Sequence, residues 1–458
     1  MKMTAHCLIK WLTLIVTQRL QCKFVELRKT GNALCVAVMM LSGIIPAHAG
    51  ESYQVDLETV LKLAGADNLT VEEYRLHYQQ ALAEQSKAEE WWLPTLFTGA
   101  TTHYLNGAAM NSDGRIFTDV DRNNVWAGIG ISVELDFNQG VFGELAAAQK
   151  AEAAFQFSIA EKNQALLKAV QAYFDLQAEQ FKATFLQALA NQADKLAKQL
   201  DLQVEVGLRY QSESLLAQSN VGHLKIALLQ AKAEWQKKSA LLTNLLNLNP
   251  GIELVSADTA LVPLTLEALP TETEGYSERP EFRGLKSELQ GLQSSRLTAN
   301  EGLLLPKLTV AVQNGVSGAY EGPTQNTFEV NAALLWKIPL GRFTSQGDLK
   351  QWDSKISLQR NKLAQFKNRY RQETATASAQ RQAAGEQVSI SKQALQQSAD
   401  VLSQSIDRQK LGTAKAFEVF QSQQFYLQAQ IDYLQSVADY NKAQFALKVA
   451  QGKILVGD

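Results

Sequence analysis

Residues 125–137 read VWAGIGISVELDF, and residues 328–338 read FEVNAALLWKI. In the first, every odd position is apolar: Val125, Ala127, Ile129, Ile131, Val133, Leu135 and Phe137. In the second, every even position is: Phe328, Val330, Ala332, Leu334, Trp336 and Ile338. Strict period-two alternation over such lengths marks a strand with one apolar face. It is also long enough to cross a bilayer as a tilted strand. Weaker strands precede them at 95–106 and 307–317. Each pair predicts a β-hairpin, with the polar, Gly-containing stretches NGAAMNSDGRIFTDVDRNN and VSGAYEGPTQN as its loop.

The flanks have a different texture. Prolines stand at 46, 94, 250, 263, 270, 280, 306, 323 and 339, leaving two long Pro-free intervals, 95–249 and 340–458. Both are rich in Ala, Gln, Leu, Lys and Glu, which are strong helix formers. Val170, Phe174, Phe181, Phe185, Leu189, Leu196 and Leu200 form one stripe at spacings of four and seven. Phe420, Leu427, Ile431, Leu434, Ala438 and Phe445 form another. Both have the spacing of coiled-coil seams. A helix over 143–205 would be a rod of about 95 Å at ~1.5 Å per residue. Each helical interval is broken once, at Val206-Gly207-Leu208 and at Leu411-Gly412-Thr413. Gly is the usual helix stop, so the spacing predicts two helical hairpins, 143–205/210–248 and 345–410/414–452.

The order then repeats. WLPTLFTGA (92–100) resembles LLPKLTVAV (304–312), and helix, Pro-x-Leu, two strands and helical hairpin occur in each half. The expected organisation is a first repeat at 50–249, a connector at 250–280, a second repeat at 281–452 and a tail at 453–458. Residues 1–49 are expected to be a secretory signal peptide. Arg28 and Lys29 precede an apolar run from Ala33 to Ile45, and Ala47-His48-Ala49 supplies the cleavage pattern. Residues 1–24 hold a second apolar patch, CLIKWLTLIV, with no cleavage site behind it.

The 458 residues carry a net charge of −2 and a mean hydropathy of −0.17. This argues against a nucleic-acid binder and against a polytopic helical membrane protein. Cleavage after Ala49 removes six Lys/Arg and one acid, leaving 38 basic and 45 acidic residues, a net −7. It also removes all three cysteines, Cys7, Cys22 and Cys35. The mature chain would then have no disulfide, thiol nucleophile or thiolate metal site. His77, His103 and His223 lie far apart, and no Gly-rich phosphate loop or G-x-S-x-G is present. No enzyme chemistry, cofactor or metal is therefore expected.

Four strands cannot close a barrel, and an open sheet edge in lipid leaves backbone groups unpaired at several kcal/mol each. The helical stripes also need partners along their length. Both demands point to a homo-oligomer continuous from barrel to helical tube.

In their order, the Pro-x-Leu junctions, the two-strand and long-hairpin repeat, the Val206-Gly207-Leu208 break and the 411–452 tail segment resemble the TolC-type outer membrane efflux protein family. The resemblance covers roughly residues 53–455. It implies an α+β membrane protein, a homotrimer with four strands per chain. These would build a twelve-stranded β-barrel in the outer membrane of a Gram-negative bacterium, continued by a long α-helical coiled-coil barrel through the periplasm. It further implies a passive exit duct of a tripartite efflux or type I secretion system. The partners would be a periplasmic adaptor, a proton-driven or ATP-driven inner-membrane transporter and outer membrane lipid. By position, Val206, Gly207, Leu208, Leu411, Gly412 and Thr413 would be the adaptor-contact tips. Arg209, Asp407 and Arg408 would be candidates for the periplasmic gate. Pro94 and Pro306 would mark the helix-to-barrel junctions. Glu134 and Asp136, on the polar side of their strand, would face the lumen. Trp91, Trp92 and Trp336 suit an interfacial aromatic belt or packing at the helix–strand junction. The alternative architecture is a periplasmic coiled-coil scaffold without a barrel.

Overall fold

A computed structural model describes residues 52–111, 113–266, 275–319 and 322–455. The signal segment and the three cysteines lie outside them. The chain begins with β1 (Ser52–Val55), α1 (Leu57–Ala66) and α2 (Leu69–Glu89). Asp56 caps α1 by accepting from the Thr59 N–H at 2.8 Å, and Asn68 caps α2 by accepting from Thr70 at 2.9 Å. A short oxygen-bearing side chain at this position satisfies otherwise orphaned helix donors. Next come β2 (Thr95–Met110), β3 (Ile116–Asp136), α3 (Glu144–Glu205) and α4 (Gln211–Leu245). After β4 (Glu253–Ser256) and α5 (Pro280–Thr298), the order strand, strand, long helix, shorter helix recurs. The second set is β5 (Lys307–Ala319), β6 (Thr324–Leu335), α6 (Gly347–Lys410) and α7 (Ala416–Ala450).

The helices match the expected hairpins to within a few residues. Helices α3 and α6, with 62 and 64 residues, each span about 95 Å. Helix α6 buries Ile356, Gln359, Phe366, Tyr370, Thr374, Ala377, Ala384, Ser391, Leu402, Ser405 and Gln409, at spacings of three, four and seven with one gap of eleven. That spacing is a narrow coiled-coil seam. Along α3 the buried set is largely alanine, with Leu186, Leu189, Leu196 and Leu200 between, so neighbouring helices can approach closely. In the expected stripes, Val170, Phe174, Leu189, Leu196, Leu200, Phe420, Leu434, Ala438 and Phe445 are buried, while Phe181, Phe185 and Leu427 pack half-buried against them.

The strands are longer than expected. The stretch 106–124, expected as a loop, is almost all β-ladder: Asn106 pairs with Asp121, and Met110 with Ile116, leaving a turn of a few residues. Likewise, Gly318 pairs with Thr324 inside the second expected loop. The polar side chains there remove the apolar alternation without removing the backbone's capacity to pair. At the other end β6 stops at Leu335, so Trp336, Lys337 and Ile338 fall outside the sheet. The sheet is antiparallel throughout, in the order β2-β3-β5-β6, with β2 and β6 as edges.

The connector is a built element. Strand β4 pairs in parallel with β1, Ser52 to Glu253 through Val55 to Ser256. This small sheet covers a core of Val55, Val60, Leu166, Val170, Tyr173, Leu242, Leu254, Val437 and Phe445 at the waist. Residues 262–266 then run extended along α7. Asn441 donates to Val262 O at 3.0 Å and accepts from Leu264 N at 2.8 Å. Gln444 does the same for Leu264 O at 2.9 Å and Leu266 N at 3.1 Å. Asn163 on α3 treats the tail likewise, donating to Lys453 O at 2.9 Å and accepting from Leu455 N at 3.1 Å. Three amide side chains thus stand in for missing strands. Asn441 is fully buried, and Asn441→Leu would leave the Leu264 N–H and the Val262 C=O without their partner. The expected cost is about 2 kcal/mol, together with faster protease cleavage within 257–266 in limited digestion.

Candidate transport conduit: sheet, junctions and hairpin turns

The two faces of the sheet differ sharply. Register puts Leu96, Ile131, Val312 and Val330 on one face, with Val133, Val310 and Ala332, and with Leu135, Leu308 and Leu334. The other carries Thr95, Ser132, Ala311 and Asn331, with Gly99, Gly128, Gly315 and Thr327. Within one chain neither face is covered: Leu96, Ile129, Ile131, Val312, Phe328, Val330 and Leu334 are all exposed.

Pro94 ends the turn after α2, immediately before β2, and Pro306 stands immediately before β5. A proline there cannot continue a helix and pushes the preceding residue toward extended backbone. Trp91 packs edge-on to Phe137, with ring centroids 5.7 Å apart, and fills the place a side chain on Gly140 would need. Trp336 donates its Nε1–H to Leu304 O at 3.3 Å. Glu134 and Asp136 lie on the polar face at its helix end. Glu134 forms an ion pair with Lys307 on β5, and Asp136 accepts from Gln139 N at 3.1 Å.

Both hairpin turns are glycine-closed. Gly207 has φ +75° and Gly412 φ +77°. Gly207 N–H donates to Val204 O at 2.9 Å, and Leu208 N–H to Gln203 O at 2.8 Å. Gly412 and Thr413 repeat the pattern onto Gln409 (3.0 Å) and Arg408 (2.9 Å). These are paired Schellman closures, which need a left-handed residue after the helix. Around them Val206, Leu208, Tyr210 and Leu411 are exposed.

The three gate candidates do not meet one another. Arg209 reaches Glu213 at 3.4 Å, Asp407 takes Lys410 at 3.1 Å, and Arg408 reaches Glu418 at 3.4 Å. Each is engaged within its own hairpin. Asp201 accepts from Ser214 and Gln218 across the α3–α4 turn, and Asn220 donates to Gln423 at 2.8 Å, tying α4 to α7.

One cluster escaped the sequence analysis. Asp175 on α3 accepts from Lys238 on α4 at 2.8 Å and from Lys442 on α7 at 2.7 Å; Lys442 also meets Asp439 at 2.8 Å. Burial opposes ionisation of Asp175, but the two ammonium groups outweigh it and hold the carboxyl below its usual range. Burial likewise opposes the charge on Lys442, and its two carboxylate partners outweigh it and raise that ammonium. The available signal was a lone acid inside the otherwise uncharged run 169–178. A second missed group is Arg279, 4% exposed, which pairs with Glu281 and Glu373, each at 2.6 Å.

Among the described residues, no cluster of three or more His, Cys, Asp or Glu is placed to hold a metal. No described helix is long and apolar enough to cross a membrane, a statement that concerns helices alone.

Residues 60–248 match the family model described as outer membrane efflux protein. Over that span the chain is similar to the outer membrane efflux protein family. This is a family of channels rather than enzymes. The fold is that of solved outer membrane channels. A membrane protein from Pseudomonas aeruginosa superposes with a TM-score of 0.74 at 16% identity, covering 89% of this chain and 94% of that one. The Campylobacter jejuni CmeC outer membrane channel gives 0.72 at 16% identity, covering 88% and 87%. CusC, described for its folding and transmembrane channel formation, gives 0.72 at 15% identity, covering 90% and 96%. No curated protein sequence matches the chain.

Proposed function

We propose that three copies of this chain form a passive exit duct in the outer membrane of a Gram-negative bacterium, serving a tripartite efflux or type I secretion system. The observation that carries this reading is the sheet: one apolar face, one polar face and two free edges. Strands of 12 to 13 residues rise about 40 Å, which a tilt near 45° reduces to the ~30 Å of a hydrocarbon core. With four antiparallel strands, the edges β2 and β6 run in opposite directions. Copies set around an axis along the strands therefore join β6 to the next β2 antiparallel, and three copies give a closed twelve-stranded barrel.

The helices support the same arrangement. Below the waist the packing order is α4–α3–α7–α6, so α4 and α6 are the flanks. Leu229 on α4 and Ile390 on α6 are 67% and 68% exposed. Each lies 22 residues from the glycine of its own turn, hence at the same height. In this reading they meet between neighbouring copies. The chain is exported by the segment 1–49, its two halves descend from an internal duplication, and it catalyses nothing. The turns at Gly207 and Gly412 meet a periplasmic adaptor, Arg209, Asp407 and Arg408 work at the entrance, and an inner-membrane transporter supplies the energy. A scaffold without a barrel would leave the exposed apolar sheet face unexplained.

The processed chain carries no other cysteine, so Leu229→Cys with Ile390→Cys reports on the seam cleanly. Non-reducing gels of the doubly substituted protein should show linked dimers and trimers, each single variant only dimers or monomer. Mass measurement in detergent should give three chains, and planar bilayers should show ion conductance. A non-conducting monomer would refute the duct.

A further inference from the structure

Two side chains do not suit the polar face of the sheet. Within its four-stranded part that face is almost wholly Thr, Ser, Gly, Gln, Asn and charged residues, yet Phe97 and Trp126 stand on it. Their rings lie 6.5 Å apart between centroids. They lie over a glycine floor. The Phe97 ring occupies the space a side chain at Gly130 would take, and the Trp126 indole comes to 2.8 Å of the position a Cβ on Gly128 would hold. Gly99, Gly128 and Gly315 share one row, leaving the surface beside the rings bare. Both rings remain half-exposed. The same face carries three carboxylates, Glu134, Asp136 and Glu329, against two basic residues, Lys307 and Arg122. Glu329 is held upright by Gln313 and by Asn331, the latter at 2.9 Å.

Flat rings in an excess of negative charge attract cations with a planar apolar part, through the ring quadrupole and stacking. We propose that Phe97 and Trp126 form an aromatic ledge inside the conduit that transiently holds flat organic cations on their way out. This rests on the duct reading, because only barrel closure turns the polar face toward enclosed water. Covering glycines with rings also stabilises sheets, so the experiment must separate holding a ligand from covering backbone.

Phe97→Leu and Trp126→Leu do so, since leucine keeps an apolar cover without a π-face. Purified protein in planar bilayers would be probed with benzyltrimethylammonium and, as a non-aromatic cation of equal charge, (cyclohexylmethyl)trimethylammonium. The wild type should be blocked by the benzyl probe with dwell times about tenfold longer than by the cyclohexylmethyl probe. Each leucine variant should cut that ratio several-fold at unchanged KCl conductance. Glu329→Gln should shorten both dwell times together. A ratio near one in the wild type, or a ratio unchanged in both leucine variants, overturns the ledge while leaving the duct standing. Protein that neither assembles as three chains nor conducts overturns the duct and the ledge with it.

Discussion

Gly412→Val should abolish export while the protein still assembles and inserts, and Gly207→Val should do the same. Both glycines hold φ near +75°, a conformation that costs a β-branched residue about 1–3 kcal/mol. Neither site is crowded, since a Cβ there would meet nothing within 4 Å of its own chain. The loss therefore comes from distorting the Schellman closure and from bulk added to the outer surface of the tip. Asparagine distinguishes the two, because it tolerates the left-handed conformation yet carries a side chain. If the glycines only turn the chain, Gly412→Asn exports normally. If bare backbone at the tip meets the adaptor, asparagine fails as well. Export by the valine variants at wild-type rates, measured as substrate released per cell, would remove the tips from the mechanism.

Asp175→Ala should lower stability by about 2 kcal/mol and uncouple the two helical hairpins. Removing one member of a fully buried ion cluster costs about 3–5 kcal/mol. The side chains of Asp175, Lys238 and Lys442 are 27%, 28% and 20% exposed, and water softens the penalty. Without the carboxylate, two ammonium groups face each other between α3, α4 and α7. The midpoint of heat-induced helix loss should fall, and trypsin should cut near 238 and 442. Replacing all three residues by Leu or Met should recover most of the loss. The pH response follows from the two shifts. Asp175, held low, contributes fully above the unfolded carboxyl value near 4 and loses that contribution as pH falls through its depressed value. Lys442, held high, contributes fully below the unfolded ammonium value near 10.4 and loses it as pH rises through its raised value. The midpoint should thus stay flat between about pH 5 and 9 and decline on both sides. A variant midpoint equal to the wild type's would show that the cluster couples nothing.

The parts of the fold legible in the chain were those written in local periodicity. The 62- and 64-residue helices lie in stretches without proline, and each ends at its glycine. The strands at the base of the sheet show alternation because one face is predominantly apolar. Beyond Asn124, β3 pairs with β2 alone, and with polar residues on both faces the alternation vanishes, so ladder was mistaken for loop. The Asp175 cluster joins residues 63 and 267 positions apart, and Asn441 serves backbone 179 positions away. No window along the sequence contains both partners. Phe97 and Trp126 were visible only as interruptions of a polar phase, and their glycine floor lies on the neighbouring strand or two positions along their own.

The waist also dictates a timetable. Strand β1 has no neighbour until β4, two hundred residues later in the chain, is available to pair. The extended run 262–266 has nothing to bond until Asn441 and Gln444 arrive, and Asn163 waits for Leu455 at the far end. The rods are helical from local interactions and can form as they emerge. The girdle holding them together closes last, after the whole polypeptide is present. Until then its strand edges stand open, and whatever shields them determines how much of the chain folds rather than aggregates.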